Sequence, residues 1–142
     1  MVCTFFGHSM SVGDIEEELK LTLIRLIEEN EQITFYVGNN GYFDYRVMDA
    51  LEELKDIYPQ IKCYVVLAYM PTEKKPVKYK LETIYPEGLE TVPKRYAISR
   101  RNMWMISKCD TVVACAYYIG GARTFRDIAQ KRGKRIIDLK FR

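Results

Sequence analysis

Five short runs rich in β-branched and aromatic residues alternate along this chain with segments of helical periodicity. The runs cover residues 2–6, 33–37, 61–69, 111–116 and 135–139. After the first run, apolar residues recur at the spacing of one helical face: Ile15, Leu19, Leu23, Leu26 and Ile27. Short strands that alternate with helices pair in parallel through right-handed crossovers. We therefore predict an α/β fold in three layers with a five-stranded parallel sheet. We expect the strand order 3-2-1-4-5, because it places the glycine loops after the first and fourth strands on either side of the point where the order reverses.

One folding unit accounts for the whole length. The chain has 142 residues, which matches one domain at roughly 150 residues per domain. Hydrophobic residues make up 48% and charged residues 29%, as in globular proteins. The longest apolar run, 112–119, is far shorter than the roughly 18 residues of a membrane span, and residues 1–7 lack the basic start of a secretory signal. We expect a single domain, 1–142, in the cytoplasm and away from membranes.

The segment 70–93 lacks periodicity and carries four of the five prolines. It also carries four lysines, Lys74, Lys75, Lys78 and Lys80, which alternate with Tyr79 and Tyr85. Connections in compact domains usually take about four to six residues. We therefore predict a long loop that is a lid, a partner surface or a disordered segment. This basic loop and the basic end at 131–142 are the features that favour a nucleic-acid or protein partner. The net charge of +3 is too small to indicate nucleic acid by itself.

The chain offers little for metal or thiol chemistry. Its single histidine, His8, excludes zinc sites that need two histidines. None of its four cysteines forms a C-x-x-C pair: they are Cys3, Cys63, Cys109 and Cys115. Three of them stand in or beside β-rich runs, where small buried thiols are common. We expect reduced core cysteines, no metal site and no cofactor.

Three loops that follow predicted strands carry glycine. In open α/β sheets, ligands bind beyond the carboxyl ends of the strands, where the strand order reverses. The loops are Gly7-His8-Ser9, Gly38-Asn39-Asn40-Gly41 and Gly120-Gly121. Glycine permits close approach of a ligand, and a helix that begins directly after it presents unpaired N–H groups to a phosphate. Any one of these loops alone is better explained as a plain turn, but three at one edge favour a site for a nucleotide-like anion.

Arg101 interrupts the apolar face of the helix predicted at 95–108. That face consists of Ala97, Ile98, Trp104 and Met105. An inward guanidinium needs a carboxylate partner or a polar cleft, because an unpaired buried charge is costly. Two interpretations stay open: a structural salt bridge or snorkelling stem, and an anion-binding arginine in a pocket wall. Asn102 fits either, and Asp127 is a candidate partner, general base or solvated acid.

The residues around Arg101 and Asp127 carry a recognisable pattern. Arg101-Asn-Met-Trp-Met105, Ser107-Lys-Cys-Asp110 and Gly120-Gly-Ala-Arg-Thr-Phe-Arg-Asp127 resemble the signature R-K-x-x-M … A-D … P-G-G-x-G-T-x-x-E of the LONELY GUY phosphoribohydrolases. That family belongs to the SLOG superfamily. The segments 7–9, 37–44 and 86–95 are similar to small SLOG proteins of Gram-positive bacteria and their phages. The resemblance implies a Rossmann-like fold.

The resemblance also implies roles for individual residues. In the hydrolases, the motif arginine and glutamate cleave the N-glycosidic bond of a nucleoside monophosphate, and they match Arg101 and Asp127 here. The phosphate would be held by Gly120, Gly121, Ala122, Arg123 and Thr124. Among the departures from the signature, Ile119, Asn102, Arg123 and Asp127 replace its proline, lysine, third glycine and glutamate. We therefore predict hydrolysis to be absent or very slow, and Arg123 suits a ligand with more than one phosphate.

Three functions follow from these observations. The first is a SLOG domain that binds a nucleotide or an ADP-ribose-type ligand, NAD-derived molecules included, to sense, carry or sequester it. The second is a nucleotide N-glycosidase that uses Arg101 and Asp127. The third is a module for a nucleic-acid or protein partner. We expect the first function, ligand binding by a SLOG domain. The expected partners are a small nucleotide-type ligand and further copies of the same chain, and not nucleic acid.

Overall fold

A computed structural model describes residues 1–11, 13–72 and 79–140. The strands in these ranges are β1 (Val2–Gly7), β2 (Thr34–Val37), β3 (Lys62–Val66), β4 (Glu82–Ile84), β5 (Thr111–Cys115) and β6 (Arg135–Asp138). The α-helices are α1 (Glu16–Glu29), α2 (Tyr42–Ile57), α3 (Lys94–Lys108) and α4 (Gly121–Lys131). A short 3-10 helix, Leu89–Thr91, precedes α3. The elements therefore alternate as the sequence predicts.

The strands form one parallel sheet in the order β4-β3-β2-β1-β5-β6. The α/β class and the parallel pairing are confirmed, and the five predicted strands are neighbours in the predicted order. The predicted number of strands was wrong, because β4 adds a sixth at the edge beside β3. Strand order still reverses between β1 and β5, whose carboxyl ends lie side by side with Gly7 opposite Cys115.

The additional strand lies within the segment 70–93, which the sequence predicts to be a loop. β4 is only three residues long and largely exposed, so it leaves no apolar alternation to recognise. It joins the sheet through backbone pairing, with Tyr64 opposite Glu82 and with the N–H of Leu67 donating to the carbonyl of Ile84 at 2.8 Å. Of the basic residues predicted in this segment, Lys74, Lys75 and Lys78 lie outside the described residues, as does Pro76.

Helices cover both faces of the sheet. Side chains of a strand alternate between its faces, so β1 sends Phe5 into one apolar cluster and Phe6 into the other. The cluster of Phe5 contains the buried faces of α1 and α2. The cluster of Phe6 contains Met105 of α3 and Ala129 of α4. The predicted three layers are therefore α1 and α2, the sheet, and α3 and α4.

All four cysteines are free and buried in this core, as the sequence predicts. Burial raises the pKa of the Cys63 thiol to about 12 and of the Cys109 and Cys115 thiols to about 11. These thiols stay protonated and unreactive at neutral pH.

The helices of the described residues are all too short or too polar to cross a membrane.

Gly7, the last residue of β1, lets helix α2 lie directly against the carboxyl edge of the sheet. A Cβ atom at this position would lie 2.1 Å from Cγ of Phe43, and Phe43 is 2% exposed in the core. Phe43 is the second residue of α2, so this close contact places the first turn of the helix beside the glycine loops. Glycine at position 7 is therefore a packing requirement.

We expect Gly7→Ala to lower the free energy of unfolding by about 1–3 kcal/mol, because the methyl group forces Phe43 out of its place. Urea denaturation measures this change. The matched control is Gly121→Ala at the start of α4, where an added Cβ meets no atom within 4 Å and should alter stability by less than about 1 kcal/mol. Equal effects of the two substitutions would contradict the packing argument.

Candidate functional site

A cavity of about 420 Å³ opens at the carboxyl edge of the sheet, where the strand order reverses. Nine residues of the predicted site line it: Gly7, His8, Ser9, Asn40, Arg101, Asn102, Gly120, Gly121 and Ala122. The loops after β1, β2 and β5 and the inner face of α3 therefore meet in one place. The sequence did not indicate the remaining lining residues as part of a site. Among them, Asp44 contributes a carboxylate, and Tyr118 and Phe125 contribute aromatic rings.

The second glycine loop supports the cavity from beneath. Gly41 has a φ of 112°, and a Cβ there would lie 2.5 Å from Cα of Ser9. The N–H of Tyr42 donates to the carbonyl of Ser9 at 2.8 Å. Gly41 is thus needed both for its backbone conformation and for the contact between the first two loops. Gly38, Asn39 and Gly41 do not line the cavity but hold its wall in position.

Arg101 is 2% exposed and its guanidinium is fixed by neutral acceptors. Nε donates to Oδ1 of Asn102 at 2.8 Å. Nη1 donates to the carbonyl of Val66 at 2.8 Å and to Oδ1 of Asn39 at 3.2 Å. Among the described residues, no carboxylate lies within ion-pair distance of Arg101. The contact salt bridge considered for this residue is therefore not formed there.

The charge of Arg101 persists despite its burial. Desolvation lowers the pKa of Arg101, while Asp44 acts in the opposite direction. Arginine begins from a pKa above 12 and is not deprotonated in proteins. The cavity wall therefore contains a cation that is hydrogen-bonded on two of its three nitrogens but has no contact counter-ion among the described side chains.

Asp44 is the carboxylate that the sequence reasoning missed. It lies in the first turn of α2 and lines the cavity, and its Oδ2 accepts from the N–H of Asn40 at 2.9 Å. Desolvation raises the pKa of Asp44 from 3.8 to about 6, although the Asn40 N–H and the charge of Arg101 act against this. An acid in the first turn of a helix is ordinarily explained by the helix dipole. The sequence signal that could have indicated Asp44 is its position in the first turn of the helix that follows the glycine loop ending at Gly41.

His8 holds the loop between β5 and α4. It is 5% exposed, and its Nε2 accepts from the N–H groups of Tyr117 at 2.8 Å and Tyr118 at 3.3 Å. An Nε2 that accepts requires the neutral ring with its proton on Nδ1, and burial lowers the pKa of His8 in agreement with this. The ring stacks on Tyr118 with centroids 3.5 Å apart. His8 is thus a positioning residue with an aromatic surface in the cavity wall.

The N-terminus of α4 reaches the cavity without a side-chain cap. The first N–H groups of a helix have no partner inside the helix and carry its positive dipole end. A Cβ at Gly120 or Gly121 would meet no atom within 4 Å, so space is open in front of these groups. Thr124 donates its hydroxyl to the carbonyl of Gly120 at 3.1 Å and is occupied within the helix.

Arg123 and Asp127 lie outside the cavity lining. Oδ1 of Asp127 accepts from Nη1 of Arg126 at 2.9 Å and lies 3.4 Å from Nε of Arg123. Arg126 also binds Asp138 at 2.6 Å, which completes a surface ion-pair network. Asp127 is therefore not an ion-pair partner of Arg101, and of the two residues that the resemblance assigns to catalysis only Arg101 lines the cavity.

No protein-family model matches the chain, and no curated protein is similar to it at a significant level.

No group of three histidine, cysteine, aspartate or glutamate side chains within 1–11, 13–72 and 79–140 is arranged to hold a metal ion.

We expect Asp44→Asn to stabilise the protein in a pH-dependent manner. The pKa of Asp44 is about 6 in the folded protein, against its ordinary value of 3.8. Between these two pH values the folded protein therefore binds a proton that the unfolded chain has lost. The free energy of unfolding falls as pH rises through this range. The substitution should have no effect near pH 4 and a gain of up to about 3 kcal/mol at pH 8. Urea denaturation at both pH values measures the difference.

The control for this experiment is Asp56→Asn at the exposed end of the same helix. It should change stability by less than about 0.5 kcal/mol at either pH. A loss of stability in Asp44→Asn at pH 8 would show that the carboxylate is well compensated and would contradict its description as a desolvated charge.

Proposed function

We propose that the cavity binds a phosphorylated, nucleoside-derived ligand, either a nucleotide or an ADP-ribose-type molecule such as those derived from NAD, and that the protein senses, carries or sequesters it. The observation that carries the proposal is the buried cation of Arg101 in a cavity that also receives the uncapped N-terminus of α4. Both features attract anions. The burial of Arg101 strengthens its attraction for an anion, because its surroundings screen charge less than water does.

The nucleoside part is supported by the size and walls of the cavity. Its volume of about 420 Å³ falls within the roughly 300–1,000 Å³ of small-molecule sites. The ring of Tyr118 and the ring of Phe125 line it and offer flat surfaces against which a base can stack. Open glycine backbone at Gly120 and Gly121 admits the phosphate without steric hindrance.

A homo-oligomer and membership of the SLOG superfamily belong to the same proposal. Next in sequence to lining residues, Met10 is 74% and Ile119 is 96% exposed, and we propose that a second copy of the chain covers these apolar side chains. The SLOG proposal is supported by the parallel sheet and by glycine loops that converge on the cavity edge, as the family resemblance implies.

Nucleotides should raise the melting temperature, while the parent nucleosides should not, because the phosphate provides the contact with α4 and with the field of Arg101. Thermal melts with nucleoside mono- and diphosphates, ADP-ribose and NAD, each against its nucleoside, test this. Equal shifts from nucleoside and nucleotide would contradict the phosphate argument.

The matched variants for this experiment are Gly120→Asp and Gly120→Asn. Both residues cap helices well, and a Cβ at this position meets no atom within 4 Å, so both variants should be at least as stable as the parent protein. Only the aspartate repels a phosphate. We expect Gly120→Asp to lower nucleotide affinity more than tenfold relative to Gly120→Asn, and equal affinities would place the phosphate elsewhere.

The N-glycosidase alternative predicts release of free base. We expect none during incubation of the purified protein with nucleoside monophosphates, because Asp127 is bound to two arginines outside the cavity lining and a general base must reach the reacting group. Chromatography of the products measures it. Multiple turnovers that are abolished by Asp127→Asn would overturn our ranking of the two functions.

A further inference from the structure

Two opposite charges stand close together in the cavity wall without forming an ion pair. A Cβ at Gly38 would lie 2.9 Å from Oδ2 of Asp44 and 3.0 Å from Nη1 of Arg101. Both groups therefore approach the same backbone position, and only glycine leaves them room. Both residues lie in the described ranges, yet no nitrogen of Arg101 is within 4.0 Å of the Asp44 carboxylate.

Each of the two groups keeps bonding capacity for a ligand. Oδ2 of Asp44 accepts from the N–H of Asn40, while Oδ1 accepts no hydrogen bond from the described residues. Nε and Nη1 of Arg101 donate to protein oxygens, while Nη2 has no acceptor in the same part of the chain. Both side chains line the cavity. Two side chains of the cavity wall thus offer a ligand one carboxylate oxygen and one guanidinium nitrogen that have no other partner among the described residues.

The charges restrict what binds between them. A second anion would be repelled by Asp44, and a cation would be repelled by Arg101. A hydroxyl group satisfies both, because it donates to the carboxylate and accepts from the guanidinium. Hydrogen bonds to charged groups contribute more than those between neutral groups. This end of the cavity therefore suits a neutral, hydroxyl-bearing part of a ligand.

We propose that Asp44 and Arg101 bind a sugar hydroxyl of the ligand, while its phosphate lies at the N-terminus of α4. This inference rests on the proposed function and assigns the ligand's orientation and class: a hydroxylated sugar phosphate such as a ribonucleotide. Strands β2 and β5 flank β1, so their carboxyl ends are roughly 10 Å apart at about 4.8 Å per strand. A ribose 5-phosphate that is hydrogen-bonded at both ends spans such a distance.

The experiment compares ligands that differ only in the sugar hydroxyls. The probes are the 5′-monophosphates of adenosine, guanosine, cytidine and uridine, each against its 2′,3′-dideoxy counterpart, with affinities measured by titration calorimetry at pH 7.5. For the base that binds most tightly, the ribonucleotide should bind roughly 10- to 100-fold more tightly than the dideoxynucleotide. Asp44→Ala should abolish this ratio, while leaving dideoxynucleotide affinity largely unchanged.

Two further variants separate recognition from folding. Asp44→Asn keeps the shape of the side chain and should reduce the ratio several-fold, so it decides the question if Asp44→Ala fails to fold. Asp56→Asn, on the exposed end of α2, should keep the full ratio. An unchanged ratio in Asp44→Asn, or a parent protein that binds both nucleotides equally, would overturn this inference alone. If no nucleotide binds, both the proposed function and this inference fail.

Discussion

The buried guanidinium of Arg101 organises the functional edge of this fold. It connects α3 with the end of β3 through the carbonyl of Val66 and with the loop after β2 through Asn39. Among the described residues, these hydrogen bonds engage Nε and Nη1 but neither Nη2 nor the charge, because the acceptors are neutral. A charge held in this way is stabilised enough to be tolerated in the core, and its Nη2 remains available to a hydroxyl group of a ligand.

Close backbone packing makes the rest of the cavity. Glycines at positions 7, 38 and 41 bring the first turn of α2, the guanidinium and the first loop within van der Waals contact of the backbone at the sheet edge. A side chain at any of them would displace Phe43, Arg101 or Ser9 respectively. The same contacts that build the core therefore place Asp44 in the cavity wall. The three glycines are thus required both for packing of the core and for formation of the cavity.

Two carboxylates near the glycine loops have opposite fates. Asp127 lies in a surface network with Arg123 and Arg126, where its charge is paired and solvated. Asp44 faces the cavity with a pKa raised to about 6 by desolvation, so its ionised form destabilises the empty protein at neutral pH. A ligand that supplies a hydrogen-bond donor to Asp44 would recover this free energy. Such unfavourable charges occur where binding, rather than stability, is optimised.

The sequence by itself determined the strand order through its glycine loops, because the loops after the first and fourth predicted strands form one crevice only when these strands are neighbours at the reversal point. The five main strands and the inward direction of Arg101 followed from periodicity, which reports the face of an element that is buried. Periodicity does not report which distant groups meet. The edge strand β4 forms through backbone pairing with β3 and leaves no side-chain pattern. Asp44 and Asp127 look alike in sequence, as acids early in helices that follow glycine loops. The tertiary structure decides between them, because the packing of each helix against the sheet sets which way its acid faces and which arginines lie near it. Asp44 thereby lines the cavity, and Asp127 pairs with arginines at the surface.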